Sequence, residues 1–378
     1  MFSFSKIKKI IYSVSVLSGT IIGVGIFSLP YIASKVGISV FLGYFLVLGM
    51  LVILVHLFFG KVALRTPDFK RLPGFAEFYL GKWGKFFALI SIIFGLFGSI
   101  LAYLIIGGRF LTEIFSPFFG GSEFLYTLFY FIFGAFLIYY GIRIVSKIEF
   151  LGLLLFLGIL ILIFFQNREL IQFNNLLFKK PSTRFADLFL PYGPVLFSLW
   201  GAALIPELEE GLGNFRQLLK KIIPVAVLVS IFVYLFFVFL ILGITGSQTT
   251  ESALTGLKNF LDRKTFSFLL FFGAVSTFTS FIALGLTLKK VFWYDLKIPH
   301  SISWTITCFL PFFLYLIGIK SFIPVISFVG AVMLGIEGIL ILLMYGKIES
   351  NKKKKIGALS LSLLFLGGIF YEIIHFLF

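Results

Sequence analysis

The sequence predicts an all-α, polytopic membrane protein with about eleven transmembrane helices. The chain has 378 residues, of which 60% are hydrophobic and 13% are charged, and its mean hydropathy of +1.09 lies far above that of soluble domains. Apolar runs of about twenty residues, the length that an α-helix needs to cross the hydrocarbon core, recur from end to end. These runs lack the alternation of apolar and polar residues that is typical of membrane barrels.

The apolar runs define eleven predicted spans, which we number in chain order. They cover residues 9–33, 36–59, 84–115, 124–143, 147–166, 188–208, 221–244, 265–289, 301–319, 322–345 and 356–377. The longest gaps have room for loops or surface helices only, so we expect one transmembrane domain over residues 1–378. The first ten residues enter span 1 without a small-residue cleavage site, and we expect them to belong to a retained helix.

Basic residues are distributed unevenly among the loops. With the amino terminus in the cytoplasm, 22 of the 32 lysines and arginines fall in cytoplasmic segments, nine fall outside and Arg109 lies within span 3. This bias favours a cytoplasmic membrane location with the amino terminus inside and the carboxyl terminus outside. It also explains the net charge of +16 without a nucleic-acid partner. We interpret the run from Lys352 to Lys355 as a topological anchor, with binding of anionic lipid as the alternative.

The sequence offers no recognisable centre for catalysis or for a structural metal. Cys308 is the only cysteine, and the chain has neither a CxxC pair nor an HExxH motif. It also lacks the Gly-x-Ser-x-Gly and Gly-x-x-x-x-Gly-Lys motifs of hydrolases and nucleotide-binding proteins. We therefore expect a protein that is not an enzyme, has no organic cofactor and needs no obligate protein partner beside the lipid bilayer.

Span 1 has the composition of a broken helix. Three glycines and a proline occur in the twelve residues GTIIGVGIFSLP, from Gly19 to Pro30. Glycine costs about 1 kcal/mol relative to alanine in a helix, and backbone groups that are freed in hydrocarbon must find a partner. A bound ion or zwitterion can be that partner. The alternative is that Gly19 and Gly23 form a GxxxG motif for close helix packing.

Span 6 repeats this pattern five spans later. It contains PYGP at 191–194, SLWGAA at 198–203 and then Pro206. A unit of five helices crosses the membrane an odd number of times, so a second copy enters from the opposite side. Interrupted helices at matching places in two such halves are typical of a transporter with a binding site near the bilayer midplane. Close packing alone predicts no such partner motif.

Several segments resemble one transporter family. GTIIGVGIFSLP at 19–30 resembles the first-helix signature of the amino acid–polyamine–organocation superfamily, closest to its aromatic amino-acid permease branch. FSLWGAALIPELEE at 197–210 is similar to the sixth helix of that branch and AVSTFTSFIALGLTL at 274–288 to its eighth, whereas YLIIGG at 103–108 matches the third more weakly.

The resemblance implies a five-plus-five inverted repeat of the LeuT type. The repeats would cover about 9–166 and 188–345, with an accessory helix at about 356–377. The function that it implies is ion-coupled symport of neutral amino acids, among them aromatic ones, by alternating access. The alternatives are a proton-coupled or exchange transporter of another small organic solute and, from a different class, a membrane-embedded enzyme.

The resemblance also implies where the substrate binds. It assigns the carboxylate to the backbone amides of Val24 and Gly25, where the second half of span 1 begins, and a helix amino terminus suits an anion. It assigns the amino group to carbonyls near Ile21 and in span 6. Aromatic residues of spans 3 and 6 are candidates for the pocket wall or the outer gate, and lipid-facing filler is their alternative because the chain has 54 phenylalanines. The complete set of candidates is Ile21, Gly23, Val24, Gly25, Tyr103, Phe197, Trp200 and Gly201.

A hydroxyl-rich face of span 8 is the candidate ion site. Ser276, Thr279 and Ser280 have the i, i+3, i+4 spacing of residues on one helical face, and hard cations prefer oxygen ligands. In sodium-coupled relatives this face meets span 1, and the resemblance implies Na⁺ bound there by the carbonyls of Gly19 and Ile22. Hydroxyls that bond back to their own helix are the alternative.

A proton is the other candidate coupling ion. Proton-coupled relatives can carry a lysine in the middle of span 5, where this chain has Phe156. That difference favours sodium without deciding the question. Glu337 lies deep in span 10 and is a candidate proton carrier, with a hydrogen bond to a neighbouring helix as the alternative.

The remaining charged residues are assigned to the membrane interfaces. Arg109 and Glu113, spaced i, i+4 on span 3, are interpreted as an ion pair near the outer surface, with a gate lock as the alternative. We expect the three histidines to be interfacial. The acidic group after Pro206 is interpreted as a solvated helix end, with an inner-gate contact to a basic residue as the alternative. These residues are His56, His300 and His375, and Glu207, Glu209 and Glu210.

Overall fold

The computed structural model describes residues 4–141, 145–177 and 188–377. These residues are 88% helical and contain no strand. Seven helical stretches are long and apolar enough to cross a membrane, and a bent pair, Ile7–Ile21 with Val24–Val36, adds an eighth. The helical content confirms the predicted all-α class, and the apolar helices have the lengths that membrane spans need.

The number of eleven spans stays a prediction. One apolar stretch, Tyr192–Gln248, includes two predicted spans. Two other predicted spans correspond to shorter apolar helices, Leu154–Gln166 and His300–Leu316.

The first half of the described chain contains one broken and four long helices. The break follows Ile21, and residues Val24–Ser28 form a 3₁₀ turn before the helix resumes at a bend of 50°. Pro30 lies in the first turn of the resumed helix, where its missing N–H costs no hydrogen bond. The helices are α1 (Phe4–Ile21), α2 (Leu29–Val36), α3 (Ile38–Arg65), α4 (Leu72–Phe119), α5 (Glu123–Tyr140) and α6 (Val145–Gln166).

The predicted loop between spans 2 and 3 holds a short surface helix that continues into α4. Gly81 divides α4 at a φ of +76°. Glycine adopts this left-handed region without the penalty that a Cβ would bring. The segment before Gly81 therefore turns away from the part of α4 that corresponds to span 3.

The second half repeats the sequence of a broken helix followed by long helices. A short α7 (Asn174–Leu177) precedes it. The helices are α8 (Tyr192–Leu199), α9 (Ile205–Leu212), α10 (Leu219–Thr245), α11 (Arg263–Lys290), α12 (His300–Leu316), α13 (Phe322–Phe328), α14 (Leu334–Ile348), α15 (Lys352–Ser360) and α16 (Ser362–Leu377).

Close packing of small residues positions the second broken helix. A π-helical turn, Val329–Met333, joins α13 to α14 and lies against α8. A Cβ added at Gly330 would collide with the carbonyl oxygen of Gly193, so the two backbones are in direct contact. π-Helical turns often occur at functional sites, and this one sets the rotation of α14 and of Glu337 on its first turn.

Candidate functional site

The break in the first helix frees a backbone amide that a side chain then pairs. Gly23 is extended, with φ −115° and ψ −157°. The next amide, that of Val24, donates a 3.0 Å hydrogen bond to the hydroxyl of Tyr103 on α4. Thus the amide that the sequence resemblance assigns to a substrate carboxylate is bound by Tyr103 in this structure.

The two broken helices touch each other at their breaks. A Cβ at Gly25 would collide with Ser198 Oγ and lie 3.1 Å from Ser198 Cα, so only a glycine fits there. A Cβ at Gly201 would lie 2.7 Å from Ile21 Cγ1. The candidates Ile21, Gly25 and Gly201 therefore lie at one junction, although they come from opposite halves of the chain.

The hydroxyl of Tyr234 on α10 contacts a backbone carbonyl at each of the two helix breaks. Its hydroxyl lies 2.6 Å from the Ile21 carbonyl oxygen and 2.7 Å from the Ser198 carbonyl oxygen. Its side chain is 0% exposed. Sequence reasoning missed this residue. The available signal was a single tyrosine in an otherwise apolar span, whose hydroxyl needs a partner when buried.

His56 is buried at the second break, and its predicted interfacial location is wrong. The residue is 0% exposed, and its Nε2 accepts a 2.9 Å hydrogen bond from the Gly201 amide. Because Nε2 is an acceptor, a neutral imidazole carries its proton on Nδ1. A side chain from α3 thus pairs the freed amide of the second broken helix. His300 is half-buried and His375 is exposed.

Trp200 points away from the first break and toward α14. Its indole nitrogen donates a 2.9 Å hydrogen bond to Glu337 Oε2, and its ring lies edge-to-face on His56 at 5.1 Å. Glu337 is only 6% exposed. The alternative interpretation of Glu337, a hydrogen bond to a neighbouring helix, is therefore present in the structure, and its partner is a candidate substrate residue.

A small cavity lies beside the first break, between α4, α6 and α11. Its volume of about 10 Å³ is enough for roughly one water molecule. Its walls bring together residues that are far apart in the sequence. They are Ile22, Gly23, Val24, Ile26, Phe27, Tyr103, Phe156, Ser276, Thr277 and Ser280.

The cavity contains some of the predicted residues and not others. Trp200 and Gly201 do not line it. Phe197 is half-buried and packs on the turn that contains Val329. Gly19 is half-buried one turn before the break and is not part of the cavity wall.

The predicted hydroxyl face of α11 needs one correction. Ser276 and Ser280 line the cavity, but Thr279 lines an apolar groove between α4, α5 and α11, and its hydroxyl donates to the Ser276 carbonyl at 3.0 Å. The expectation that all three hydroxyls share one face is wrong because i+3 and i+4 lie on either side of residue i. Thr277, at i+1, takes the place beside them and donates to the Ala274 carbonyl at 2.9 Å.

Four phenylalanines pack together beside the cavity, and two of them, Phe27 and Phe156, line it. The ring of Phe27 lies 5.1 Å from Phe110, 5.6 Å from Phe156 and 6.1 Å from Phe237. Each of these rings is at most 2% exposed. Edge-to-face contacts of this kind stabilise this phenylalanine layer.

Arg109 and Glu113 do not bind each other, so their interpretation as an ion pair is wrong. Arg109 lies 3.7 Å from Glu123 and 3.6 Å from Glu251, and it donates to the Lys320 carbonyl. Glu113 instead binds Lys258 at 2.8 Å. Arg109 and Glu113 therefore each form an ion pair with the loop between α10 and α11. This supports the alternative interpretation of these two residues as a gate lock.

The acidic group after Pro206 binds arginines. Arg71 lies 3.6 Å from Glu207 and 3.4 Å from Glu210, and all three side chains are about half exposed. Arg216 lies 3.6 Å from the buried Glu209. Burial raises the pKa of Glu209, and Arg216 opposes that shift. The inner-gate alternative thus has its basic partners, Arg71 and Arg216.

Solved transporters share the fold of this chain. The structure of MhsT in complex with L-phenylalanine superposes with a TM-score of 0.64 at 14% identity, over 97% of both chains. A manganese transporter from Eremococcus coleocola gives a TM-score of 0.67 at 14% identity, over 100% of this chain and 89% of its own. These likenesses confirm the predicted LeuT-type fold.

Sequence comparison identifies the family. The chain is 27% identical to the tyrosine-specific transport system 1 of Haemophilus influenzae in an alignment of 299 positions that covers 75% of this chain and 72% of that protein. The model of the tryptophan/tyrosine permease family matches residues 6–375. These matches confirm the resemblance that the helix signatures indicate. The chain belongs to the tryptophan/tyrosine permease family.

Proposed function

We propose that this protein is an ion-coupled secondary transporter of aromatic amino acids that works by alternating access. The observation that carries the proposal is the meeting of two helix breaks at one buried junction. There the Val24 amide and the carbonyls of Ile21 and Ser198 come close together, and each lies within hydrogen-bond distance of a tyrosine hydroxyl. Freed amides suit a carboxylate and freed carbonyls suit an ammonium group, so the junction has the polarity of an amino-acid backbone.

The cavity supports a neutral, aromatic side chain. Its walls are aliphatic, aromatic or hydroxyl-bearing, and none of the wall residues is charged. Tyr103 and Phe156 both line the cavity, and aromatic pairs add about 0.5–1.5 kcal/mol to the burial of their area. Two similar proteins support this proposal: the Haemophilus influenzae relative is a tyrosine-specific transport system, and the fold neighbour MhsT was solved in complex with L-phenylalanine.

The size of the cavity implies that transport requires rearrangement. About 10 Å³ holds one water and not an amino acid, so the binding region must widen before substrate enters. The phenylalanine layer and the ion pairs of Arg109 close the side that we assign to the outside. We propose that the inverted repeats, about 9–166 and 188–345, rock against each other to open the two sides in turn, with about 356–377 as an accessory helix.

Sodium is the first candidate for the coupling ion. Ser276 and Ser280 line the same cavity as Ile22, and hydroxyl and carbonyl oxygens are the ligands that a hard cation prefers. We propose that Na⁺ binds between these hydroxyls and the carbonyls of Gly19 and Ile22. The proton is the second candidate, because Glu337 is buried and hydrogen-bonded to Trp200 next to the break.

Uptake into proteoliposomes tests the function and the coupling together. Purified protein is reconstituted, sodium and proton gradients are imposed separately, and labelled tyrosine, tryptophan, phenylalanine, leucine and alanine are offered. We expect accumulation of the aromatic amino acids against their gradient under one of the two driving forces. Accumulation of none of the three would overturn the proposal, and uptake that needs a counter-substrate inside would indicate an exchanger.

A further inference from the structure

Tyr234 contacts the freed carbonyls of both broken helices. It lies in α10, which packs along α1, and its hydroxyl reaches Ile21 at the end of α1 and Ser198 near the end of α8. These two partners are 213 and 36 residues away in the sequence. A buried tyrosine needs only one acceptor, so contact with both breaks is more than a packing requirement.

The hydroxyl has one proton for two acceptors. At 2.6 Å and 2.7 Å both carbonyl oxygens are within hydrogen-bond range, but a tyrosine can donate to one of them at a time. The Ile21 carbonyl also accepts from the Gly23 amide at 2.9 Å. The junction therefore holds more acceptor capacity than the Tyr234 hydroxyl and the Gly23 amide fill.

The family resemblance assigns the substrate ammonium group to carbonyls near Ile21 and in span 6. We propose that Tyr234 is the positioning residue that holds the Ile21 and Ser198 carbonyls together as a receptor for that group. This inference rests on the proposed transport of amino acids. An ammonium group brings three N–H donors and a positive charge, so it can bind both carbonyl oxygens at once while the tyrosine keeps them in place. Tyr234 acts through the carbonyls and recognises no part of the substrate side chain.

A neighbouring hydroxyl on the same helix provides the matched control. Ser230 lies one turn before Tyr234, and its Oγ binds the Ala226 carbonyl of its own helix at 3.0 Å. Its distance to the Ser18 carbonyl is 3.5 Å, and it reaches neither of the freed carbonyls that Tyr234 contacts. Ser230→Ala removes a buried hydroxyl from the α1–α10 interface without touching the proposed receptor.

The test compares two ligands on the purified, reconstituted protein. L-Tyrosine carries the ammonium group, and 3-(4-hydroxyphenyl)propionate is the same molecule without it. Tyr234→Phe should weaken binding of L-tyrosine about tenfold, or about 1.4 kcal/mol, and change the Kd of the analogue less than twofold. Ser230→Ala should leave both values within twofold. Equal losses for both ligands in Tyr234→Phe, or no loss, would overturn the inference.

A measurement on the wild-type protein covers the case in which Tyr234→Phe does not fold. Successive N-methylation of L-tyrosine removes one donor at a time, and a receptor of two carbonyls needs two donors. We expect the first methyl group to be tolerated within about threefold and the second to cost about tenfold. If the first methyl group already causes the full tenfold loss of affinity, the loss is due to steric crowding, and the proposal is contradicted. If wild-type protein binds no aromatic amino acid at all, the proposed function itself fails.

Discussion

Trp200 and Glu337 are joined by a 2.9 Å hydrogen bond between the indole nitrogen and a carboxylate oxygen, and both residues are buried. The bond connects the break of the second discontinuous helix to α14. A change in the charge of Glu337 therefore acts directly on the residue next to Gly201, whose amide binds His56. Through this contact, a change in the protonation of Glu337 can alter the geometry of the binding junction.

Glu337→Gln is expected to impair coupling more than binding. Glutamine keeps an oxygen that accepts the indole N–H but cannot exchange a proton. We expect uptake driven by a proton gradient to fall at least tenfold, while the Kd for L-tyrosine stays within about twofold. The control is Glu372→Gln, which alters another buried acid, bound by Ser327 at 2.9 Å and away from the break. Undiminished proton-driven uptake in Glu337→Gln would refute a role for this residue.

Ser276→Ala combined with Ser280→Ala is expected to abolish stimulation by sodium. Both residues line the cavity together with Ile22, so their loss removes two of the oxygen ligands that we propose for Na⁺. Thr279→Ala is the matched control because its side chain lines the apolar groove. The measurement is initial uptake as a function of sodium concentration at fixed pH. Sodium dependence that survives the double substitution, or disappears in Thr279→Ala, would contradict the assignment.

Gly25→Ala is expected to reduce substrate binding at least tenfold. Its Cβ would collide with Ser198 Oγ and press on the Ser198 backbone, so the two breaks would have to separate. Gly43→Ala on α3 is the control, since no atom lies within 4 Å of a Cβ at that position. Binding of labelled L-tyrosine to both variants, at matched amounts of folded protein, decides the matter. Near-normal binding by Gly25→Ala would mean that the contact between the breaks is dispensable.

Asp262 caps the amino terminus of α11, and its substitution is expected to lower the melting temperature. The Asp262 carboxylate accepts hydrogen bonds from the amides of Lys264 and Thr265 at 3.0 Å and 3.1 Å. Hydrogen bonds from the Thr265 side chain and from these amides hold the pKa of Asp262 below its ordinary value. The stabilisation is therefore complete above the ordinary pKa of aspartate and disappears as the pH falls through the lowered one.

The pH dependence separates this cap from unspecific effects. Melting temperatures of the wild type, Asp262→Ala and Asp262→Asn in the same detergent, from pH 7 down to pH 3, give the comparison. Asp262→Ala should melt below the wild type at neutral pH, and the gap should narrow toward pH 3. Asparagine, which retains an acceptor, should keep most of the stability. A gap that widens on acidification would rule out this role of Asp262.

Local sequence determined where the helices break, and side-chain packing determined what pairs the freed groups. The glycines from Gly19 to Gly25 predict the first break because each lacks the side chain that stabilises a helix, and this property needs no tertiary contact. The same residues could not predict His56 as the partner of Gly201. That pairing depends on α3 and the second broken helix coming together over 145 residues of chain.

Helical periodicity also has a limit that the hydroxyls of α11 illustrate. Spacing predicts that Ser276 and Ser280 are neighbours, and they line one cavity. The same spacing also predicts that Thr279 is their neighbour. However, α4 and α5 pack against that side of the helix, and Thr279 lies in a different groove. Arg109 and Glu113 show the same limit for charges, since loop residues compete successfully with the i, i+4 neighbour.

The sequence by itself determined the membrane class, the family signatures and the two interrupted helices, because hydropathy and the backbone preferences of glycine and proline act locally. Only the tertiary structure decided that Tyr103, Tyr234 and His56 pair the freed backbone groups and that Trp200 binds Glu337. In hydrocarbon every freed amide and carbonyl must find a partner, but the chain can supply that partner from any span that packs close enough. Which side chain does so is set by the contacts between helices.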